Sequence, residues 1–226
     1  MNSRRELLDR MAPYHGSFLH AVVRDDPVAQ NNLRVSGQLF SPDWAAVVGD
    51  GLWAVHQSLR DVPIIDLARS APSGVYSPFA GWRLWAAAIV RNGGRVGIGE
   101  LHTAWLASSE AADIVHAGDV ELALEEARRK INPDAASRLA SLYLAEDSLR
   151  GRKHLESMFG TSQRDIMRVR IPSAIRVTRC DTTWFERYFD SGGDENLTRY
   201  WVGEVADPKS PKWEFLVEGM IEKTSP

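Results

Sequence analysis

The chain has 226 residues, 44% of them hydrophobic and 25% charged, which suits one large domain, or one domain with a helical attachment, and a sizeable core. Its formal net charge of −3 excludes a global basic field for nucleic acid or anionic lipid, leaving only local groups such as Arg168, Arg170, Arg176 and Arg179. The single cysteine, Cys180, excludes an internal disulfide and a cysteine metal cluster and points to a reducing compartment.

Taken in chain order, Ser3 to Met11 reads as a short amphipathic helix capped by Ser3, with Leu7, Leu8 and Met11 on one face and Pro13 beyond it. The N-terminus carries Arg4 and Arg5 but no apolar run behind them, unlike a secretory signal, and the longest apolar stretch, Leu84 to Val90, is far too short to span a membrane. A cytoplasmic protein without membrane contact is expected; export by a route needing no such signal stays open. Ser17 to Val23 reads as a strand, and Asp25 to Gly37 as polar and turn-rich.

A helical block follows. Ser41-Pro42-Asp43 opens a helix through Trp44 to Leu59, weakened by Gly49 and Gly51. Ser77-Pro78 opens a second, ending at Asn92-Gly93-Gly94. Ile98 to His116 reads as a third. Asp119 is expected to cap a fourth, Val120 to Ile131, whose acids come early and whose Arg128, Arg129 and Lys130 come late, matching the helix dipole. Glu125, Glu126 and Arg128 are expected on its solvated face. The tryptophans of the block (Trp44, Trp53, Trp82, Trp85 and Trp105) are expected in the core.

From Asn132 the pattern turns to strands. Ile166 to Ile171 alternates apolar and basic residues and closes on Pro172, and Ile175 to Thr178 is a second short strand. Asp181 to Phe189 reads as a helical turn and Asp190 to Asp194 as a loop. Tyr200 to Val205 and Trp213 to Ile221 are expected as strands paired across the Asp207–Pro211 turn. Ser137 to Asp147 is ambiguous: its residues favour a helix slightly, yet Leu142-Tyr143-Leu144 also suits a buried strand. Ser148 to Met158 reads as a helix.

Most chemical motifs fail on spacing. The six histidines (His15, His20, His56, His102, His116 and His154) include no zincin-type i, i+4 pair, so no metal is expected. The run Gly93 to Glu100 follows a helix and lacks both G-x-G-x-x-G and a Lys-Ser/Thr pair, so it reads as a connection between helices. Ser141 lies outside any G-x-S-x-G. Cys180 reads as a buried, inert thiol.

What remains is an ordered set of segments: Ser137-Arg138-Leu139-Ala140-Ser141-Leu142-Tyr143-Leu144, a helix, a basic–apolar strand, Tyr200-Trp201-Val202-Gly203, and Trp213-Glu214-Phe215-Leu216-Val217-Glu218-Gly219. This order resembles the ADP-ribosyltransferase fold. It is most similar to an uncharacterised bacterial domain family with P-S-R-x-x-S-L-F/Y, Y-W-x-G and E-x-L-V-x-G motifs. The Glu214 string is also similar to the catalytic-glutamate strand of bacterial DNA ADP-ribosylating toxins. The likeness covers Ser17 to Arg24 and Glu125 to the C-terminus, departs from the pattern at Ala136, where a proline is expected, and matches nothing over Ser41 to about Gly118.

The resemblance implies an α+β fold: a split antiparallel β-sheet core of ADP-ribosyltransferase type, in a single domain with a helical insertion at about 41–131. It implies that NAD is the substrate, with Glu214 catalytic and with His20 or Arg24, Ser137, Arg138, Ser141 and Tyr143 contacting NAD. It also settles residues 139–144 as a strand. The residue types suit that chemistry. Cleaving the nicotinamide–ribose bond builds positive charge on the ribose, which a fixed carboxylate stabilises; an aromatic ring stacks on nicotinamide and arginine grips pyrophosphate. The function implied is transfer of ADP-ribose to a protein or nucleic-acid acceptor, in a bacterial toxin or effector. The alternatives are NAD hydrolysis and a non-enzymatic interaction domain that keeps the fold.

Overall fold

The computed structural model describes residues 3–23, 26–69, 80–98, 104–105, 108–159 and 164–224. Helix α1 (Arg4–Asp9) begins at Ser3, whose hydroxyl and the Glu6 carboxylate form a reciprocal capping box. Strand β1 (Ala12–Val23) starts earlier than its sequence pattern indicates. Helix α2 (Pro27–Val35) and the short β2 (Gln38–Phe40) follow. The helix expected from Pro42 to Leu59 is broken at Gly49 into α3 (Pro42–Val48) and α4 (Asp50–Trp53). Then come α5 (Ile64–Arg69) and α6 (Ala80–Arg91); the Ser77-Pro78 start signal falls outside the described residues.

Beyond α6, the two-residue strands β3 (Gly97–Ile98) and β4 (Ala104–Trp105) pair with each other. The third and fourth expected helices are one 24-residue helix, α7 (Ser108–Ile131). Asp119 is therefore no cap; it lies inside α7 and pairs with Arg91. Gly118, beside it, permits close packing rather than a break: a Cβ there would lie 2.4 Å from Ala87 Cβ on α6.

The second half holds β5 (Leu142–Glu146), α8 (Leu149–Phe159), β6 (Arg164–Asp181), α9 (Thr182–Ser191), α10 (Asp194–Trp201) and β7 (Trp213–Lys223). The two expected strands around Pro172 are one. The pairing register shifts between Arg170 and Ser173, and in that irregularity a proline costs no ladder bond. Tyr200 to Val205 is not a strand. Tyr200 and Trp201 close α10, whose acids Asp194 and Glu195 stand in its first turn and Arg199 in its last.

The protein is thus mixed α+β with an antiparallel five-stranded sheet in the order β2-β7-β5-β1-β6. Strand β6 also pairs with β7, so β1, β5, β7 and β6 close into a ring. Phe18, Leu144, Val169, Ile171, Phe215 and Val217, drawn from all four ring strands, converge in one apolar cluster. Because side chains alternate along a strand, Tyr143, Cys180, Glu214, Leu216 and Glu218 take the other face. There Leu124 of α7, Trp184 of α9 and Leu197, Tyr200 and Trp201 of α10 cover Tyr143, Cys180 and Leu216 in the largest core cluster. Leu155 of α8 covers Leu19 and Ala145.

The helical block is less uniformly buried than its sequence indicates. Trp82 and Trp85 are exposed, while Trp44 stacks on Phe40 at 5.1 Å and donates to Ser173. No described helix is long and apolar enough to cross a membrane.

Candidate functional site

Three segments meet on the helix-covered face of the sheet: α7, the turn at residues 133–141, and β7. Each contributes two neighbouring polar residues, one to each of two centres. Helix α7 offers Glu121 and, one turn on, Glu125. The turn offers Arg138 and Ser137. Strand β7 offers Glu214 and, two same-face positions on, Glu218. All six are at most 2% exposed.

The first centre is built on Arg138. Its Nη1 donates to Glu214 Oε1 and to Tyr200 Oη, both at 2.7 Å, and its Nε donates to Glu121 Oε2 at 2.9 Å. Arg83 donates to the same Glu121 at 3.0 Å. The Tyr200 hydroxyl donates a short hydrogen bond to Glu214 Oε1. Three aromatic rings surround the guanidinium, with Phe185 at 4.5 Å, Tyr143 at 5.1 Å and Tyr200 at 5.7 Å. Two arginines face two carboxylates, so the charges balance where burial forbids an unpaired ion. Burial acts against the charged form of Arg138, but Glu121 and Glu214 more than reverse it and hold its pKa well above the usual arginine value. Burial likewise lifts the Tyr143, Tyr200 and Cys180 acids above their ordinary ranges, so all three are neutral at physiological pH. Glu214 Oε2 is buried and has no hydrogen-bond partner.

The second centre is built on Glu125 and Glu218. Arg128 donates to both oxygens of Glu125, at 2.9 and 2.8 Å, and Arg129 adds a bond at 2.8 Å. The Ser137 hydroxyl donates to Glu125 at 2.8 Å, and its backbone N–H to Glu218 at 2.7 Å. Arg60 and Arg176 each take one Glu218 oxygen, at 2.9 and 2.7 Å. This centre opens onto a cavity of about 330 Å³.

The structure therefore brings Arg138, Tyr143 and Glu214 together and puts Ser137 in the adjoining centre. Tyr143 does not stand clear for stacking: its ring backs Arg138 and its hydroxyl donates to the Arg138 carbonyl at 2.8 Å. Ser141 is buried, with no partner for its Oγ. His20 shares the face of Phe18 and Val22, so the sheet separates it from Glu214; its Nδ1 lies 2.8 Å from the Tyr143 carbonyl. Arg24 lies outside the described residues. Glu125 and Arg128 are not on a solvated face: both are buried, because α7 turns them to the 133–137 turn, where Arg128 also donates to the Pro133 carbonyl at 2.9 Å.

Tyr200, Glu121, Glu125 and Glu218 were not singled out as site residues from sequence. Leu197, Tyr200 and Trp201 stand at i, i+3 and i+4, a helical face that could have placed Tyr200 in the core. Nothing local marks Glu121 and Glu218, whose partners lie far along the chain, while the arginines at i+3 and i+4 from Glu125 read as an ordinary helix-surface pairing. Among the described residues no group of three or more His, Cys, Asp or Glu could hold a metal ion. No protein-family model matches the sequence, and no curated protein sequence matches it.

Proposed function

We propose that the Glu214 centre is an NAD site of ADP-ribosyltransferase type that transfers ADP-ribose to a macromolecular acceptor. One observation carries the reading: Arg138, Tyr143 and Glu214, selected by motif from segments remote in sequence, stand in one contact network whose Glu214 keeps a buried carboxylate oxygen without a partner. A carboxylate so held suits a ribose hydroxyl and a ribose becoming cationic. The bond that breaks joins nicotinamide to the ribose, and its electron pair leaves with nicotinamide. The bond that forms joins the same ribose carbon to an acceptor nucleophile, whose proton is lost. Phe185 of α9 lies over Arg138, so on this reading α9 shifts to admit NAD.

A second reading has its own support. Glu214 is 1% exposed and its Oε1 is already taken by Arg138 and Tyr200. A centre buried and paired in this way also suits a non-enzymatic interaction domain that uses the network to hold its fold. The test is incubation with NAD labelled in both halves, with and without cell lysate, comparing wild type with Glu214→Gln. Transferase activity predicts label in a macromolecule and a loss of about a hundredfold in the variant. Nicotinamide release without lysate assigns the protein to NAD hydrolysis. No release from folded wild type leaves the interaction domain.

A further inference from the structure

The cavity beside Glu218 lies outside the chemistry proposed for Glu214. Arg60, Arg128, Arg129 and Arg176 line it, together with Asp43, Asp61 and others. We infer that this cavity binds a phosphoryl group through the guanidiniums of Arg60 and Arg176.

Space is the first support. A water's share of liquid volume is about 30 Å³, so a cavity of about 330 Å³ holds a phosphoryl group and part of the molecule that carries it. The second is an unspent donor: the Arg176 side chain is only 8% exposed, yet its Nε is buried without a hydrogen-bond partner. A buried N–H of a charged group left unpaired is costly, and a ligand oxygen would satisfy it once the Arg176 side chain turned that edge toward the cavity. The third is the arrangement of the arginines. Arg60 and Arg176 converge from different elements on one carboxylate, Glu218, and take one oxygen each. Both are held in place before any ligand arrives, so little side-chain ordering remains to be lost.

Four arginines and three acids, Asp43, Asp61 and Asp134, line the cavity. The acids Asp43 and Asp134 are already engaged, Asp43 by His56 and Ser58 and Asp134 by Arg10. Burial holds the Arg60 pKa below its ordinary value, and the positive charges of Arg128 and Arg176 push the same way against the opposing pull of Glu218. A bound anion relieves that crowding. Two guanidinium groups that already share the two oxygens of Glu218 suit a phosphoryl group, which offers more acceptor oxygens and more charge than a second carboxylate.

Isothermal titration of the full chain at low salt and near-neutral pH tests this, with inorganic phosphate, pyrophosphate and ADP as titrants and acetate as the comparison. Saturable binding of the phosphates, tighter than any binding of acetate, is expected. Arg176→Gln should weaken binding by about tenfold or more, and Glu214→Gln should leave the binding of phosphate and pyrophosphate unchanged, which separates this site from the proposed NAD chemistry. Stronger binding of ADP than of pyrophosphate identifies a nucleotide as the carrier; equal binding identifies the phosphoryl group alone. Absence of saturable heat in folded wild type at about 10 mM titrant, a weak-binding regime by any standard, overturns the inference. So does an Arg176→Gln variant that binds as wild type does. Should that variant not fold, Arg176→Lys keeps the charge on Glu218 but loses the fork; unchanged affinity there overturns the inference as well.

Discussion

The two polar centres draw on the same three segments yet differ in what seals them. At Arg138 aromatic rings and α7 close over Arg138, Glu121 and Glu214, and each ion finds its counter-ion inside the protein. At Glu218, four residues along the same strand, the arginines border a cavity. Along β7, four residues span about 13 Å, so one strand carries a closed electrostatic knot and an open one. Burial of a charge is tolerated only with a partner, and closing the knot makes the partner obligatory. Openness lets water, or a ligand, substitute for it.

Removing the central cation of each should show the contrast most strongly. Arg138→Met strands Glu121 and Glu214 without their shared partner and should cost about 3–5 kcal/mol, the range for breaking a buried pair. Arg60→Met leaves Glu218 with Arg176 and with water from the cavity, and should cost less, about 1–2 kcal/mol. Urea melts of both variants check this; equal losses would mean that the cavity does not relieve the open centre.

Tyr200→Phe takes one donor from Glu214 and one acceptor from Arg138 while keeping the ring. Hydrogen bonds to buried charges are worth about 1.5–3 kcal/mol, so a loss of about 2 kcal/mol is expected. A thermal melt indistinguishable from wild type would mean that Arg138 alone satisfies Glu214. Gly219→Ala acts on the other centre. A Cβ there would meet the Ser173 carbonyl at 2.6 Å and Ala174 at 2.8 Å, so β6 and β7 must part beside the Arg176–Glu218 pair. Overpacking of this kind should cost about 1–2 kcal/mol, and the NMR signals that shift should include those of Glu218 and spare those of Glu214.

Much of the scaffold was legible in the sequence. The cap at Ser3, the α8 helix and the β7 strand follow from local pattern. The motif glycine Gly219 has a steric reason, since β6 passes too close for any side chain. What local pattern missed was set by tertiary context. Tyr200 and Trp201 read as strand formers because aromatics favour strands, but α10 buries them at a helical spacing. Pro172 read as a strand end because a proline removes a ladder bond, and the register shift around it makes that bond unnecessary. Glu125 and Arg128 read as a solvated pair because i, i+3 charges usually are, whereas the 133–137 turn folds over them. The resemblance singled out Arg138 and Glu214 but not their mutual ion pair, because 76 residues separate them.

The smallest contrast is in pH dependence. Glu121 belongs to the closed centre and Glu125 to the open one. Burial pushes both carboxyls up, but Arg138 and Arg83 outweigh it at Glu121, and Arg128 and Arg129 at Glu125, so both end below their ordinary value of 4.5. Carboxylates depressed in the folded state contribute stability that is present above their unfolded pKa and lost as pH falls through the folded one, so both centres fail together in acid, below about pH 4.5. His154 on α8 behaves differently. Burial lowers its pKa from 6.5, against the pull of Glu214 and Glu186. Its folded form therefore resists a proton that the unfolded chain accepts, and stability falls as pH drops below about 6.5. Urea melts at stepped pH should show wild type weakening between neutrality and mild acid, before the carboxylates titrate. His154→Gln should flatten that limb and leave the deeper acid loss in place. Should the limb persist unchanged in the variant, a proton taken up elsewhere governs it, and the neutral His154 beside the closed centre has no part in its acid sensitivity.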